Sequence, residues 1–212
     1  ETIFAVDNTG QSLNGIDLCA TMAELALQAK PGRAIAVSVN LPHIFEEIAD
    51  RHNGRVIRTG IEPNALMAAC LAAEVVMAGD GKGNFIFPEF QPCVDGLMAI
   101  AKLLEFLATQ NRQLSDVITH LPPYYLSQAK VYCLWEVKGS VMRKLSQKFE
   151  DKLADTVEGV KVRLSEEEWV LILPSQDQPH IEVIAEAASQ SVADGIVEEY
   201  TRLVRALQPQ NM

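Results

Sequence analysis

Three short stretches of this chain carry residue types that could do chemistry. The first is Ala78-Gly79-Asp80-Gly81-Lys82-Gly83-Asn84. Closely spaced glycines let a backbone approach a ligand, and Asp80 and Lys82 could hydrogen-bond hydroxyls or a charged group. The same composition also suits a plain tight turn after a strand, the commoner use of such glycines. The GxxxxGK[ST] spacing of a nucleotide P-loop is absent. The second stretch is Ser175-Gln176-Asp177-Gln178, a polar loop between the apolar runs Trp169–Leu173 and Ile181–Ala187. By composition it is an exposed hairpin connection. The third is a basic group, Lys138, Arg143 and Lys144, with Lys148 one turn on. Lys144 and Lys148 share a helix face at i, i+4, and a charge run of this kind ordinarily reads as a solvated face.

Bulk properties narrow the chemistry. The 212 residues are 48% hydrophobic and 22% charged, with a net charge of -10. That charge argues against nucleic acid or an anionic membrane surface as partner, and any phosphorylated ligand would need a locally basic pocket. No apolar run is long enough for a membrane span, and no signal peptide is visible. The four cysteines lack CxxC pairing. Cys19 and Cys70 sit in helical apolar stretches, which predicts buried free thiols and a cytoplasmic setting. The four histidines show no metal-ligand spacing, so no metal site is expected. Because residue 1 is Glu and the first residues already read as a strand, we expect a piece of a longer polypeptide.

The elements that must position these stretches follow from periodicity. Ile3–Val6 reads as a strand, with a turn at Asp7-Asn8-Thr9-Gly10. Helices are expected at 16–30, 42–50, 64–73 and from Asp95 onward, where Leu97, Ile100, Leu104 and Leu107 recur at spacings of three and four. Strands are expected at 34–39, 55–58, 74–77 and 84–87. This alternation predicts an α/β fold, an open mixed sheet with helices on both faces. A short helix over 114–121 closes it. Beyond Pro122-Pro123 the rhythm changes: strands at 131–135, 160–164, 169–173 and 181–187, and helices at 141–152 and 191–207, predict a smaller α+β unit with an antiparallel sheet. The boundary falls within 122–128, and 208–212 reads as a frayed polar tail.

Taken together, these stretches resemble the third and fourth domains of the α-D-phosphohexomutase superfamily, the phosphomannomutases and phosphoglucomutases. Gly79–Asn84 stands where that family has its GGE-x-SGH sugar loop. Asp95-Gly96-Leu97 and Leu103–Leu107 resemble its DGI…LLELL helix, and Leu114-Ser115 with Pro122 resembles its LS…LP stretch. Trp169–Ser175 followed by Gln178-Pro179 stands where the family has the W-V-x-x-RPSGTEP phosphate loop, and Glu186-Ala187 resembles its closing EA. The likeness runs through the whole chain in order. It implies that 1–15 is the tail of a second domain, 16–124 a sugar-binding-type domain and 125–212 a phosphate-loop-type domain. Trp135–Arg143 is similar to the W-E-x-KG-x-VMR stretch of a subgroup fused to a sugar-1-phosphate nucleotidyltransferase, usually named mannose-1-phosphate guanylyltransferase. The resemblance thus implies sugar-nucleotide (GDP-mannose) metabolism, upstream domains of the same polypeptide as partners, a sugar phosphate as ligand, and room for a homo-oligomer.

The departures from that pattern bear on activity. The family grips phosphate with an arginine, a serine and a threonine, and a second arginine follows on the next strand. Those positions here are Leu173, Ser175, Asp177 and Glu182. Only the serine remains: Leu173 and Glu182 replace the two arginines, and Asp177 replaces the threonine. Two lost charge-assisted bonds at about 1.5–3 kcal/mol each correspond to roughly 10²–10⁴ in affinity. In the sugar loop, Asp80 replaces a glutamate, Lys82 a serine and Asn84 a histidine. The resemblance leaves Asp80, Lys82, Asn84 and Ser175 as candidate sugar or phosphate contacts and no catalytic residue. The family's catalytic phosphoserine and its DxDxDR metal loop are absent, so no cofactor is expected in this chain, although an active parent enzyme would use magnesium. Three functions remain in view: a degenerate structural or regulatory module, part of an active mutase interconverting hexose 6- and 1-phosphates, and a sugar or nucleotide binder using the Asp80–Lys82 loop.

Overall fold

The computed structural model describes residues 2–71, 74–152, 158–166 and 168–209. The chain divides into two compact units, Glu1–Pro123 and Tyr124–Met212.

The first unit is built around a helix with almost no solvent face. Helix α1 (Gly15–Ala29) starts at Asn14, whose side chain accepts the Asp17 N–H at 2.8 Å. This satisfies one of the N–H groups a helix start leaves open. Leu18, Cys19, Met22, Leu25 and Leu27 of α1 are all essentially inaccessible. Pro31 and Gly32 follow the helix, and Gly32 takes a positive φ of 78°. The chain then alternates through β1 (Ala34–Ser38), α2 (Ile44–Arg51), β2 (Arg55–Thr59), α3 (Pro63–Cys70), β3 (Val75–Gly79) and β4 (Phe85–Ile86). The sheet order is β2-β1-β3-β4, with β1 parallel to both β2 and β3 and with β4 antiparallel to β3. Strand β1 is buried along its whole length, as a strand covered on both faces must be. Ala34, Ala36 and Ala78 face α3 through Leu66 and Cys70. The alternate residues face α1 and α2, which pack on β1 and β3 and on β1 and β2 respectively. The predicted mixed sheet with helices on both faces is what forms.

Helices α4 (Gly96–Thr109) and α5 (Leu114–Thr119) complete this unit. Asp95 caps α4, its Oδ1 accepting the Met98 N–H at 2.9 Å, as its position in the sequence predicts. The buried stripe differs from the expected one. Ala99, Leu103 and Phe106 are buried, whereas Leu97, Ile100 and Leu104 are 73%, 46% and 61% exposed. The helix is apolar on more than one side, so spacing alone does not choose the inward face. The expected strand Ile3–Val6 is also corrected: among the described residues it forms only an isolated bridge, from Val6 to Ser12. Ile3 instead donates its N–H to Gly83 O at 2.9 Å. Strand β3 begins one residue later than expected because Glu74 has a left-handed φ of 88°. The end of the expected 64–73 helix, residues 72 and 73, lies outside the described residues.

The second unit runs β5 (Leu126–Tyr132), α6 (Trp135–Lys148), a short 3-10 turn (Glu150–Lys152), β6 (Val160–Arg163), β7 (Trp169–Pro174), β8 (His180–Glu186) and α7 (Gln190–Leu207). Its sheet is antiparallel throughout, in the order β5-β8-β7-β6. Val131, Val162, Val170, Ile172, Ile181 and Val183 form a core with Val141 and Leu145 of α6 and Val197 and Val204 of α7. All the helices thus serve one face. Two boundaries shift. The strand expected at 131–135 is β5, which begins at Leu126, and Trp135 opens α6 rather than closing a strand. As an edge strand, β5 exposes Gln128, Lys130 and Tyr132, and that polar half hides it from a hydrophobic reading. The expected frayed tail falls largely on 210–212, outside the described residues.

The cysteines follow the expectation of free thiols, with Cys19, Cys70 and Cys133 buried. Burial pushes the Cys19 thiol up to about 12 and the Cys70 thiol to about 11. Thiolate is the reactive form, so at pH 8 a maleimide is expected to label the half-exposed Cys93 of the native protein first. Mass spectrometry of the labelled protein checks this, and labelling of Cys19 at a comparable rate would contradict the packing around α1.

Candidate functional site

The glycine-rich stretch is the hairpin connection between β3 and β4. Gly79 pairs with Phe85 across the ladder, so the chain must reverse over Asp80–Asn84. Gly81 and Gly83 supply the positive φ values, 69° and 94°, that the reversal requires. The Asp80 carboxylate organises the turn from within. Its Oδ1 accepts the N–H groups of Lys82 at 2.7 Å and Asn84 at 3.2 Å, and its Oδ2 accepts Asn84 Nδ2 at 2.7 Å. An ionised carboxylate offers about four lone-pair directions, and three of Asp80's are already taken. Thr2 Oγ1 donates to Asn84 Oδ1 at 3.0 Å, which fixes the amide as well.

The turn is wedged from several sides. A Cβ on Gly83 would lie 2.3 Å from Ile3 O, and one on Gly81 would lie 2.4 Å from Leu41 Cδ2. A Cβ on Gly15, at the start of α1, would lie 2.1 Å from Gly81 O. Asp80, Lys82 and Asn84 share this one turn, and within it Asp80 and Asn84 are engaged with each other. Lys82 does not pair with Asp80. Its side chain is exposed, and its ammonium has no partner among the described residues.

The other loop, Ser175–Pro179, joins β7 to β8 in the second unit. Ser175 N–H donates to His180 O at 3.1 Å, and His180 N–H donates to Gln178 O at 2.8 Å. The Ser175 hydroxyl donates to Asp177 Oδ1 at 2.9 Å and accepts the Gln178 N–H at 3.2 Å. Beneath the loop lies Lys138, 6% exposed. Its Nζ donates to Ser175 O at 2.6 Å and to Gln178 O, and sits 3.7 Å from the centre of the Trp135 ring. Trp135 and Lys138 are three residues apart on α6, hence on one face, and the ring shields the ammonium in a cation–π contact.

Lys138 is the residue the charge pattern misplaces. It reads as one lysine of a solvated basic face, whereas the structure separates it from that group. Lys144 reaches Leu207 O at 3.1 Å from an exposed position, and Arg143 and Lys148 are exposed. The signal was present in the sequence as a lysine one helical turn after a tryptophan. Directly opposite each other on β7 and β8 stand Leu173 and Glu182. Leu173 is buried at 2%, and the Glu182 carboxylate pairs with His180 Nε2 at 3.2 Å and Lys130 Nζ at 3.5 Å. Neither position offers a free cation. Among the described residues, no group of three His, Cys, Asp or Glu side chains could hold a metal ion, and no helix is long and apolar enough to cross a membrane.

Both units, and the loops they carry, define a class: domain III of a phosphohexomutase-type protein and the domain that follows it. Residues 14–125, just over half of the chain, match the family described as phosphoglucomutase/phosphomannomutase, alpha/beta/alpha domain III. The chain belongs to the α-D-phosphohexomutase superfamily. It is 29% identical over 209 residues to a probable phosphoglucosamine mutase of Methanopyrus kandleri, covering 97% of this chain and 46% of that protein. It is 28% identical to a phosphoglucomutase/phosphomannomutase of Thermococcus kodakarensis, covering 91% of this chain and 42% of that protein. A phosphoglucomutase/phosphomannomutase family protein of Burkholderia thailandensis superposes with a TM-score of 0.78 at 22% identity, over 99% of this chain and 45% of that one. This last likeness is one of fold. The chain spans a little under half the length of these relatives.

Proposed function

We propose that this chain is a phosphohexomutase-like module of a sugar-nucleotide enzyme, a mannose-1-phosphate guanylyltransferase, and that its role there is structural or regulatory. One observation carries the reading. The Ser175 hydroxyl of the Ser175–Gln178 loop is already engaged by Asp177, and the nearest buried cation, Lys138, is engaged by the loop's own carbonyls. Asp80 is engaged in the same manner inside its own turn. The upstream part of a longer polypeptide would find a partner surface on the first unit. There, an open apolar groove of about 550 Å³ lies between Ile3–Val6 and the exposed Ile100 and Leu104 of α4. Apolar surface of this kind is usually covered in the working protein.

The test is a coupled assay of the full-length parent, supplied with magnesium and either mannose 6-phosphate or glucose 6-phosphate. No interconversion to the 1-phosphate is expected. Substantial turnover that falls when Ser175 is replaced by Ala would overturn the reading and assign this half to an active mutase.

A further inference from the structure

Residues 2–13 cross the first unit as a strap that is fastened at both ends. At the near end, the Ile3 N–H donates to Gly83 O at 2.9 Å and the Thr2 hydroxyl to Asn84 Oδ1 at 3.0 Å, both on the glycine-rich turn. At the far end, Asn8 spends both atoms of its amide on the start of α5. Its Nδ2 donates to Gln113 Oε1 at 2.9 Å, and its Oδ1 accepts the Ser115 N–H at 3.2 Å. Gln113 leads into α5 and makes no capping bond with its own side chain. Asn8 therefore satisfies an N–H that the helix start leaves open, from 107 positions away in the sequence.

Between its ends the strap is thinly supported. Its bridge from Val6 to Ser12 lies within the segment itself. Phe4 and Val6 are exposed, and the open apolar groove lies between Ile3–Val6 and α4. A segment with few buried contacts opens at a lower free energy than the sheet it lies on. We propose that the strap seats and releases as one element, and so couples α5, the last helix before the second unit, to the conformation of the Asp80–Asn84 turn. This holds whatever enzyme the parent is. Seated, the strap fixes the Gly83 carbonyl and the Asn84 amide, which also closes the turn on Asp80. Released, it withdraws the Ser115 cap and the turn's outer bonds together. Both ends bias the same two-state element, so the coupling runs in both directions.

The experiment is hydrogen exchange of the whole chain, read amide by amide by NMR. Four proteins are compared: the natural chain, Asn8→Ala, Thr2→Val and Ile48→Val. Asn8 and Thr2 are exposed, so each of the first two variants removes one fastening and leaves the core intact. Ile48 is fully buried on α2, which packs on α1, β1 and β2. Shortening it lowers the stability of the unit by a similar amount, away from the strap. Asn8→Ala is expected to speed exchange at Ile3 and Asn84, at the opposite end, by about two- to thirtyfold, the range that loss of a helix cap corresponds to. Thr2→Val is expected to speed exchange at Ser115 by about two- to tenfold, as loss of one neutral hydrogen bond would. Ile48→Val should leave all three amides at their natural rates.

Unchanged exchange at Ile3 and Asn84 in Asn8→Ala overturns the proposal, because the two ends would then open separately. Unchanged exchange at Ser115 in Thr2→Val overturns it too, since coupling through one element is reciprocal. Equal acceleration in Ile48→Val also overturns it, because these amides would then report unfolding of the whole unit and not release of the strap.

Discussion

Lys138→Met is expected to destabilise the second unit by about 1–3 kcal/mol and to loosen the Ser175–Gln178 loop. Two effects oppose each other. Removing a buried ammonium relieves its desolvation cost, which can make such a replacement neutral. Against this, two carbonyls, those of Ser175 and Gln178, lose their donor, and an unsatisfied buried acceptor costs about 1–3 kcal/mol. The cation–π contact with Trp135 is lost too, at about 0.5–2 kcal/mol. Water can reach Gln178, which is exposed, and this keeps the total from being the full sum. The loss of the bonds still outweighs the relief, because Met matches the volume but donates nothing. Both tryptophans of the chain, Trp135 and Trp169, lie in this unit, so fluorescence-detected urea unfolding reports on it directly. Lys144→Met is the control. Its side chain is exposed and makes one bond, to Leu207 O, and its cost should stay within about 0.5 kcal/mol. Equal costs for the two variants would remove Lys138 from the loop's support.

Gly15→Ala is expected to destabilise the first unit by about 1–3 kcal/mol, the usual range for overpacking. At an open helical position the same change stabilises by roughly 0.5–1 kcal/mol. The sign reverses here because the new Cβ would lie 2.1 Å from Gly81 O and 3.2 Å from Lys82 Cα. These are backbone atoms of the glycine-rich turn and cannot rotate away. The turn must move, and with it the Asp80–Asn84 bonds that close it. The amide resonances of 79–84 should therefore shift alongside the loss of stability. Gly139→Ala and Gly195→Ala are the matched controls, since a Cβ there meets nothing within 4 Å on α6 and α7. Both should raise stability in thermal unfolding. Should Gly15→Ala behave as they do, the close approach of α1 to the turn is not what constrains that loop.

The alternation of elements was legible because it rests on local signals. Asn14 and Asp95 cap α1 and α4 through bonds to residues three positions on. Pro31 and Gly32 close α1, and the run Ala34–Ser38 is short and apolar because both sides of β1 are covered. Such features depend on a few neighbouring residues, and a pattern in the sequence captures them. Element ends were less legible. The start of strand β5 is hidden from a hydrophobic pattern because it is an edge strand, so alternate residues face water and its first half carries Ser127 and Gln128. Ile3–Val6 has strand-forming residues, yet Ile3 bonds to Gly83, eighty positions away, and no local rule anticipates that choice.

The site divides along the same line. That Leu173, Asp177 and Glu182 bring no cation to this loop can be read from the order of residues alone, because charge is a property of residue type; that a phosphate clamp would stand there is what the resemblance implies. Whether the remaining polar groups are available cannot be read that way. Asp80 is spent on the Lys82 N–H and on Asn84, Ser175 is spent on Asp177, and Lys138 is buried against carbonyls 37 and 40 positions further along the chain. Likewise the inward stripe of α4 is Ala99, Leu103 and Phe106 rather than Leu97, Ile100 and Leu104, a choice between two faces of equal periodicity that only packing against the rest of the unit makes. Periodicity and residue type therefore establish the alternation of helices and strands and the lack of a cation at Leu173, Asp177 and Glu182, since both are carried by local propensity and formal charge. The folded chain settles which donors and acceptors have already found each other, because a hydrogen bond is a matter of distance in space, and residues far apart in sequence meet only once the sheet and helices have closed around them.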